Sequence, residues 1–139
     1  AKAATKKGIA LWILGRTQAA LDALEMGHPK EELAALFLGR AHLELDRPKL
    51  AAIKLREGLN QHPDSAPLAW ALVQAMLRAG DLALDPDKKE GTLLDRAEKR
   101  FGKTADSVFL RGLVKELEGS DVVRAAEIAR AAQRKVALT

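Results

Sequence analysis

Residues 32–65, ELAALFLGRAHLELDRPKLAAIKLREGLNQHPDS, decide the fold of this 139-residue chain. Apolar residues recur at helical spacing on both sides of Asp46-Arg47, which predicts one helix over about 29–45 and a second over about 48–61. Pro48 suits the first turn of the second helix, where its missing N–H would have no partner anyway. Both helices are apolar on more than one face, so each is expected to pack on neighbours before and after it.

Landmarks of this stretch return along the chain. His28-Pro29 is repeated as His62-Pro63, 34 positions later. Between the two prolines stand, in order, Ala35-x2-Leu38-Gly39-x2-His42, Ala51-x3-Leu55 and Pro63. This order resembles the tetratricopeptide repeat, in which W-x2-L-G-x2-Y is followed by A-x3-F and by P. Both aromatic positions are replaced here. The resemblance implies an all-α fold, a right-handed superhelical stack of antiparallel helix pairs of the α-solenoid type.

The repeat pattern divides the chain into four approximate units of a single domain, 1–31, 32–65, 66–104 and 105–139. Glycine recurs at two kinds of position in these units. A slot where two helices approach closely is predicted at Gly8, Gly39 and Gly112, with Val73 the exception. The turn inside a unit is predicted at Gly15, Gly80 and Gly119, with Asp46 the exception.

The ends of the units are less regular than the middle. Residues 5–26 are compatible with two helices joined at Gly15 or with one long helix, since a glycine inside a helix costs about 1 kcal/mol relative to alanine. Gly27 is predicted to end this segment as a left-handed cap before Pro29. Residues 82–91, LALDPDKKEG, predict an extended loop. The last predicted helix, 122–136, lacks the polar outer face of a terminal unit, so we expect the chain to be part of a longer one.

Composition favours a helical chain without chemistry of its own. Aromatic residues make up 4% of the chain, hydrophobic residues 47% and charged residues 30%. The absence of Cys excludes disulfides, thiolate catalysis and Cys-ligated zinc, and it leaves cytoplasm and periplasm both open. The longest apolar run, 9–14, is too short to span a membrane. The net charge of +4 suits an acidic partner.

No cluster of residues in the sequence indicates a catalytic, cofactor or metal site. His28 and His62 are predicted at helix C-termini, where positive charge is favoured. His42 stands at the repeat's tyrosine position and is predicted to pack between helices. The serines are predicted to be caps or turn residues. We therefore expect a protein that is not an enzyme and needs no cofactor or metal.

Binding is expected on the first helix of each pair, because the resemblance implies a concave groove there that holds a peptide of a partner protein. Arg40 is the predicted anchor, since a guanidinium can pair with a carboxylate through two hydrogen bonds. Trp70, Gln74 and Arg78 follow one another at i, i+4 steps and predict a flat apolar surface with polar edges. The main binding residues of this predicted groove are Trp12, Leu36, Arg40, Leu43, Trp70, Gln74, Arg78 and Phe109.

Other interpretations of the same residues stay open. Each tryptophan is as compatible with a core position as with a groove, and the arginines with solvated ion pairs. Uncapped terminal units would also allow self-assembly or a spacer role. Nucleic acid is disfavoured, because only Lys2, Lys6 and Lys7 form a basic group that nearby acidic residues do not oppose.

Overall fold

A computed structural model describes residues 2–80 and 92–118 of the chain. Every regular element in these two ranges is an α-helix, which confirms the all-α prediction. The helices are α1 (Lys2–Ile13), α2 (Thr17–Gly27), α3 (Glu32–Glu44), α4 (Pro48–Gln61), α5 (Ala66–Arg78), α6 (Leu93–Phe101) and α7 (Ala105–Glu118). The loop predicted at 82–91, the turn at Gly119 and the helix at 122–136 lie outside the described residues.

The chain divides into two compact units, Ala1–Ala75 and Met76–Thr139, with the division inside α5. Four helices and most of a fifth belong to the first unit, and α6 and α7 belong to the second. The division into four repeat units within one domain stays a prediction. None of the described helices has the length and apolar character that crossing a membrane requires.

The first two helices form a hairpin, which decides between the alternatives for residues 5–26. Helix α1 ends at Ile13, and Gly15 follows with φ +79°. The Gly15 N–H donates to the Trp12 carbonyl at 3.0 Å and the Arg16 N–H to the Leu11 carbonyl at 2.9 Å. These two bonds are those of a Schellman motif, which satisfies carbonyls at a helix end. Residues 5–26 are therefore two helices.

The same motif closes α3, although no glycine is present there. Asp46 takes φ +59°, and its N–H donates to the Leu43 carbonyl at 3.1 Å. The Arg47 N–H donates to the His42 carbonyl at 2.9 Å. Aspartate tolerates the left-handed region better than most residues, so it replaces the glycine of the first hairpin. Helix α4 then begins at Pro48 and ends at Gln61, as predicted.

A close contact between a glycine and a leucine recurs in both hairpins. A Cβ added to Gly8 would lie 2.7 Å from Leu24 Cγ, and a Cβ added to Gly39 would lie 2.3 Å from Leu55 Cγ. Both leucines have no exposed surface. Each pair is separated by 16 positions and the two pairs by 31. Two of the predicted close-packing glycines are therefore confirmed, and at both sites the absence of a side chain lets the paired helices approach.

The sequence singles out three further glycines, Gly80, Gly112 and Gly27, and their surroundings differ. Gly80 takes φ +84° at the end of α5, as the turn prediction requires. Gly112 has no described atom within 4 Å of an added Cβ, and its predicted partner helix, 122–136, is outside the described residues. The left-handed cap predicted at Gly27 is wrong, because Gly27 is the last residue of α2 and is not among the residues with positive φ. Glycine is needed at this position because there is no room for a side chain: an added Cβ would lie 2.4 Å from Thr5 Oγ1.

Neighbouring hairpins of the first unit pack in a regular order. Helix α1 packs on α2 and α3 packs on α4, while α3 also contacts both helices of the preceding hairpin. A buried cluster of Leu21, Leu24, Leu38 and Ala41 joins α2 to α3. Partly buried side chains from α1 and α3 pack against this cluster: Ile9, Trp12 and Phe37. The first helix of one hairpin thus lies beside the first helix of the next.

Helix α5 and helix α6 begin at side-chain caps. The Leu68 N–H donates to Ser65 Oγ at 3.3 Å, as the predicted cap requires. At α6, Thr92 Oγ1 accepts from the Asp95 N–H at 3.2 Å, and the Asp95 carboxylate accepts from the Thr92 N–H at 3.0 Å. This reciprocal arrangement is a capping box, which satisfies two of the free N–H groups at a helix start.

Candidate functional site

The contact between α1 and α3 creates one surface of the first compact unit. Ile9 and Trp12 are three residues apart on α1, and Leu33, Phe37 and Arg40 follow at i, i+4 and i+7 on α3, so each set lies on one side of its helix. Trp12 touches Phe37, and Ile9 and Leu33 line the same cavity. We call these five residues the α1/α3 face.

One end of the α1/α3 face is a stack of two aromatic rings and a guanidinium. The ring centroids of Trp12 and Phe37 are 5.5 Å apart with an angle of 75° between the planes, an edge-to-face contact. The Arg40 guanidinium carbon lies 5.6 Å from the Phe37 centroid, which places the cation over the ring. Arg40 is exposed, whereas Trp12 and Phe37 are half-buried against the core cluster. The stack therefore presents rigid apolar surface with a positive edge.

The other end of the α1/α3 face is a cavity of about 370 Å³ between α1 and the start of α3. Ile9 and Leu33 supply its apolar walls, and Leu33 is 53% exposed. The polar residues that line it are Lys2, Thr5, Lys6, Lys30, Glu31 and Glu32. Thr5 Oγ1 donates a hydrogen bond to the Glu31 carboxylate, and Ser65 Oγ donates to Glu32 Oε1 at 2.6 Å.

The structure brings two of the predicted groove residues into one stack. Trp12 and Arg40 meet through Phe37. Three predicted groove residues are buried, with exposed fractions of 5–8%, so a partner could contact very little of their side chains: Leu36, Leu43 and Trp70. Gln74 of α5 is half-buried. Arg78 and Phe109 are exposed and belong to the second compact unit. The eight-residue groove as a whole stays a prediction.

Phe37 and Leu33 are not among the groove residues that the sequence predicts. The i, i+4 and i+7 spacing of Leu33, Phe37 and Arg40 was a usable signal for them, because it places all three on one side of α3. The row of Leu36, Arg40 and Leu43 has the same spacing. The two rows differ in burial, which depends on how other helices pack around α3.

The histidines are not among the five residues of the α1/α3 face. His42 is 5% exposed, and this burial is the main reason that its pKa is lowered. The charge of Arg47 lowers that pKa further, and Glu25 opposes the change. His28 and His62 are the C-caps of α2 and α4, as predicted. His62 Nε2 donates to the Lys30 carbonyl at 2.8 Å and so joins the two turns.

The groups on the α1/α3 face are suited to binding. They comprise aromatic surface, a guanidinium, and an apolar cavity edged by lysines. Within 2–80 and 92–118, no three His, Asp or Glu side chains are placed so that they could hold a metal ion. No model of a known protein family matches this sequence, and no curated protein matches it either. The residues and contacts described above therefore carry the functional proposal.

Proposed function

We propose that this chain is a non-catalytic interaction scaffold that holds a peptide of a partner protein on the α1/α3 face. The observation that carries the proposal is the Trp12–Phe37–Arg40 stack, which lies where the first helices of two successive hairpins meet. Trp and Arg are the residues that most often dominate the free energy of protein–protein binding, above all on a well-packed apolar base.

The recurrence of one hairpin design supports a tetratricopeptide-like stack. The Gly8–Leu24 and Gly39–Leu55 contacts are equivalent, and both hairpins turn through a Schellman motif 31 positions apart. Helix α3 also contacts both α1 and α2, so the second hairpin is laid on the first. If later hairpins stacked in the same way, the chain would form a right-handed superhelix with the first helices lining its inner side.

The binding mode follows from the shape and chemistry of the face. Two neighbouring first helices leave a shallow strip between them, in which an extended peptide can lie. The aromatic rings of Trp12 and Phe37 can contact apolar side chains, and the Arg40 guanidinium can donate hydrogen bonds to a carboxylate or a backbone carbonyl. Because the rings already pack on the core cluster, little side-chain freedom is lost when a peptide binds.

The test is selection of peptides from a displayed library with the wild-type chain, followed by affinity measurement on Arg40→Glu. Hot-spot residues cost 2 kcal/mol or more when they are lost, so we expect binding about 30-fold weaker or worse. Arg16→Glu is the matched control, because Arg16 is an exposed arginine of the α1–α2 turn and is not part of the face. Circular dichroism verifies that both variants keep their helicity.

Two results would refute the proposal. One is a library from which the wild-type chain selects no peptide. The other is a set of selected peptides that bind Arg40→Glu and the wild type equally well. Weakening by Arg16→Glu to the same degree as by Arg40→Glu would show that total charge, rather than the α1/α3 face, determines the affinity.

A further inference from the structure

We propose that the cavity between α1 and the start of α3 binds an aliphatic side chain that is flanked by carboxylates in the bound peptide. This inference rests on the proposed function, because the same peptide would lie along the α1/α3 face. It adds the chemical class of the partner: an acidic segment with a branched apolar residue in its middle.

The walls of the cavity suit an aliphatic group, and its volume leaves room for one. Its volume of about 370 Å³ is near the lower end of the range of about 300–1,000 Å³ that ligand pockets occupy. Ile9 of α1 and Leu33 of α3 both line it. More than half of Leu33 is exposed, so apolar surface there is still available for burial. Burying a leucine-sized side chain is favourable in proportion to the apolar area removed from water.

The charges around the cavity favour an acidic ligand. Lys2 and Lys6 are four residues apart on one side of α1, and Lys30 approaches from the α2–α3 turn. None of these three ammonium groups forms an ion pair with a carboxylate among the described residues. Three cations around an apolar cavity are the complement of carboxylates around an aliphatic side chain.

The two carboxylates that line the cavity are already engaged within the protein. Glu31 accepts a hydrogen bond from Thr5, and Glu32 accepts one from Ser65. Both bonds hold an acidic side chain against its own hydroxyl partner. These neutral hydroxyls leave both carboxylates charged, so three lysines against two glutamates give the cavity lining a net charge of +1, and the lysines retain their donors for a ligand.

The cavity is continuous with the aromatic stack. Ile9 lines the cavity and lies three residues before Trp12, a distance of about 5 Å along the helix. Leu33 lines the cavity and lies one turn before Phe37 on α3. A peptide on the α1/α3 face thus reaches the cavity within two of its own residues, since an extended chain advances about 3.3 Å per residue.

The experiment uses three fluorescent nonapeptides and measures their binding by anisotropy at low and moderate salt. The first has a central leucine, two glutamates on each side of it and serines at both ends. In the second, serine replaces the leucine. In the third, lysines replace the glutamates. We expect the first to bind, the second to bind at least about tenfold more weakly, and the third to show no binding.

Variants of the protein locate the interaction. Lys6→Glu combined with Lys30→Glu should weaken binding of the first peptide about tenfold or more. Lys7→Glu combined with Lys49→Glu is the matched control, because both are exposed lysines that do not line the cavity and the change in net charge is the same. This variant should bind nearly as the wild type does. Leu33→Ser should weaken the first peptide without affecting stability much, since Leu33 is largely exposed.

The outcomes separate this inference from the proposed function. Equal binding of the first peptide to the wild type and to the Lys6/Lys30 variant would overturn the cavity assignment, as would equal binding of the leucine and serine peptides. If binding of the library-selected peptides still depends on Arg40 in that case, the scaffold proposal holds without the cavity assignment. If the first peptide needs Lys6 and Lys30 but no ligand depends on Arg40, the cavity stands and the wider face is refuted.

Discussion

Replacing Gly39 by alanine tests the packing of α3 on α4 directly. An added Cβ would lie 2.3 Å from both Cγ and Cδ2 of Leu55 and 2.8 Å from its Cδ1. Separations this short are repulsive, so the leucine or the helix that carries it must move. Leu55 has no exposed surface and is enclosed by other side chains. The substitution therefore strains the core of the first compact unit.

The expected magnitude is a balance of two effects. Alanine is favoured over glycine by about 1 kcal/mol in a helix interior. Overpacking of a close-packed core costs about 1–3 kcal/mol, and the upper end applies here because three atoms of a fully buried side chain are displaced. The net loss is about 2 kcal/mol in the free energy of unfolding. For a chain of this length, that corresponds to a Tm lower by about 6–10 °C.

The assay is urea unfolding followed by circular dichroism, with Ala10→Gly as the control for helix propensity. Ala10 is exposed inside α1, so the reverse change there should destabilise by about 1 kcal/mol through propensity alone. A double-mutant cycle with Leu55→Ala adds a second check. Once the leucine is truncated, Gly39→Ala should cost much less.

A Gly39→Ala variant as stable as the wild type, or more stable, would contradict this close contact. So would costs of Gly39→Ala and Leu55→Ala that simply add. Either result would mean that α3 and α4 do not approach each other at this pair of residues.

Two further predictions concern a helix cap and a buried base. Thr92→Ala should destabilise by about 1 kcal/mol, because it removes the oxygen that accepts from the Asp95 N–H, whereas Thr92→Ser should stay near the wild type in urea unfolding. An equal loss in the serine variant would contradict the capping role. In thermal melts between pH 5 and 8, the stability of His42→Leu relative to the wild type should increase as pH falls from about 7. Burial lowers the pKa of folded His42, so the unfolded chain binds a proton first and acid costs the wild type stability; a pH-independent difference would contradict this.

Several features of the fold were predictable because they depend on neighbours in the sequence. Pro48 can occupy only the first turn of a helix, and the periodicity up to Gln61 indicates where α4 ends. Gly8 and Gly39 were recognisable from their recurrence, and the structure confirms their contacts with leucines. Asp46 stands at the turn position that glycine occupies in the other units, and aspartate tolerates the positive φ found there.

The hairpin at Gly15 could not be decided from local sequence. A helix that passes through one glycine loses about 1 kcal/mol, which neighbouring contacts easily outweigh in either direction. The packing of α1 on α2 through Gly8 and Leu24 favours the turn. Gly27 is a similar case, because its role depends on Thr5, which is distant in sequence.

The sequence by itself determined the helical class, the bounds of α4, and the residue types available for binding. Tertiary structure alone decided which of them share a surface. Helix α3 is apolar on more than one side, so its pattern is equally compatible with an open row through Leu36 or through Phe37. Packing against other parts of the chain buries Leu36, while Phe37 lies beside Trp12 of α1. The cavity likewise joins residues of α1 to Lys30 and Leu33, more than twenty positions away, and such a meeting depends on how hairpins stack rather than on local spacing.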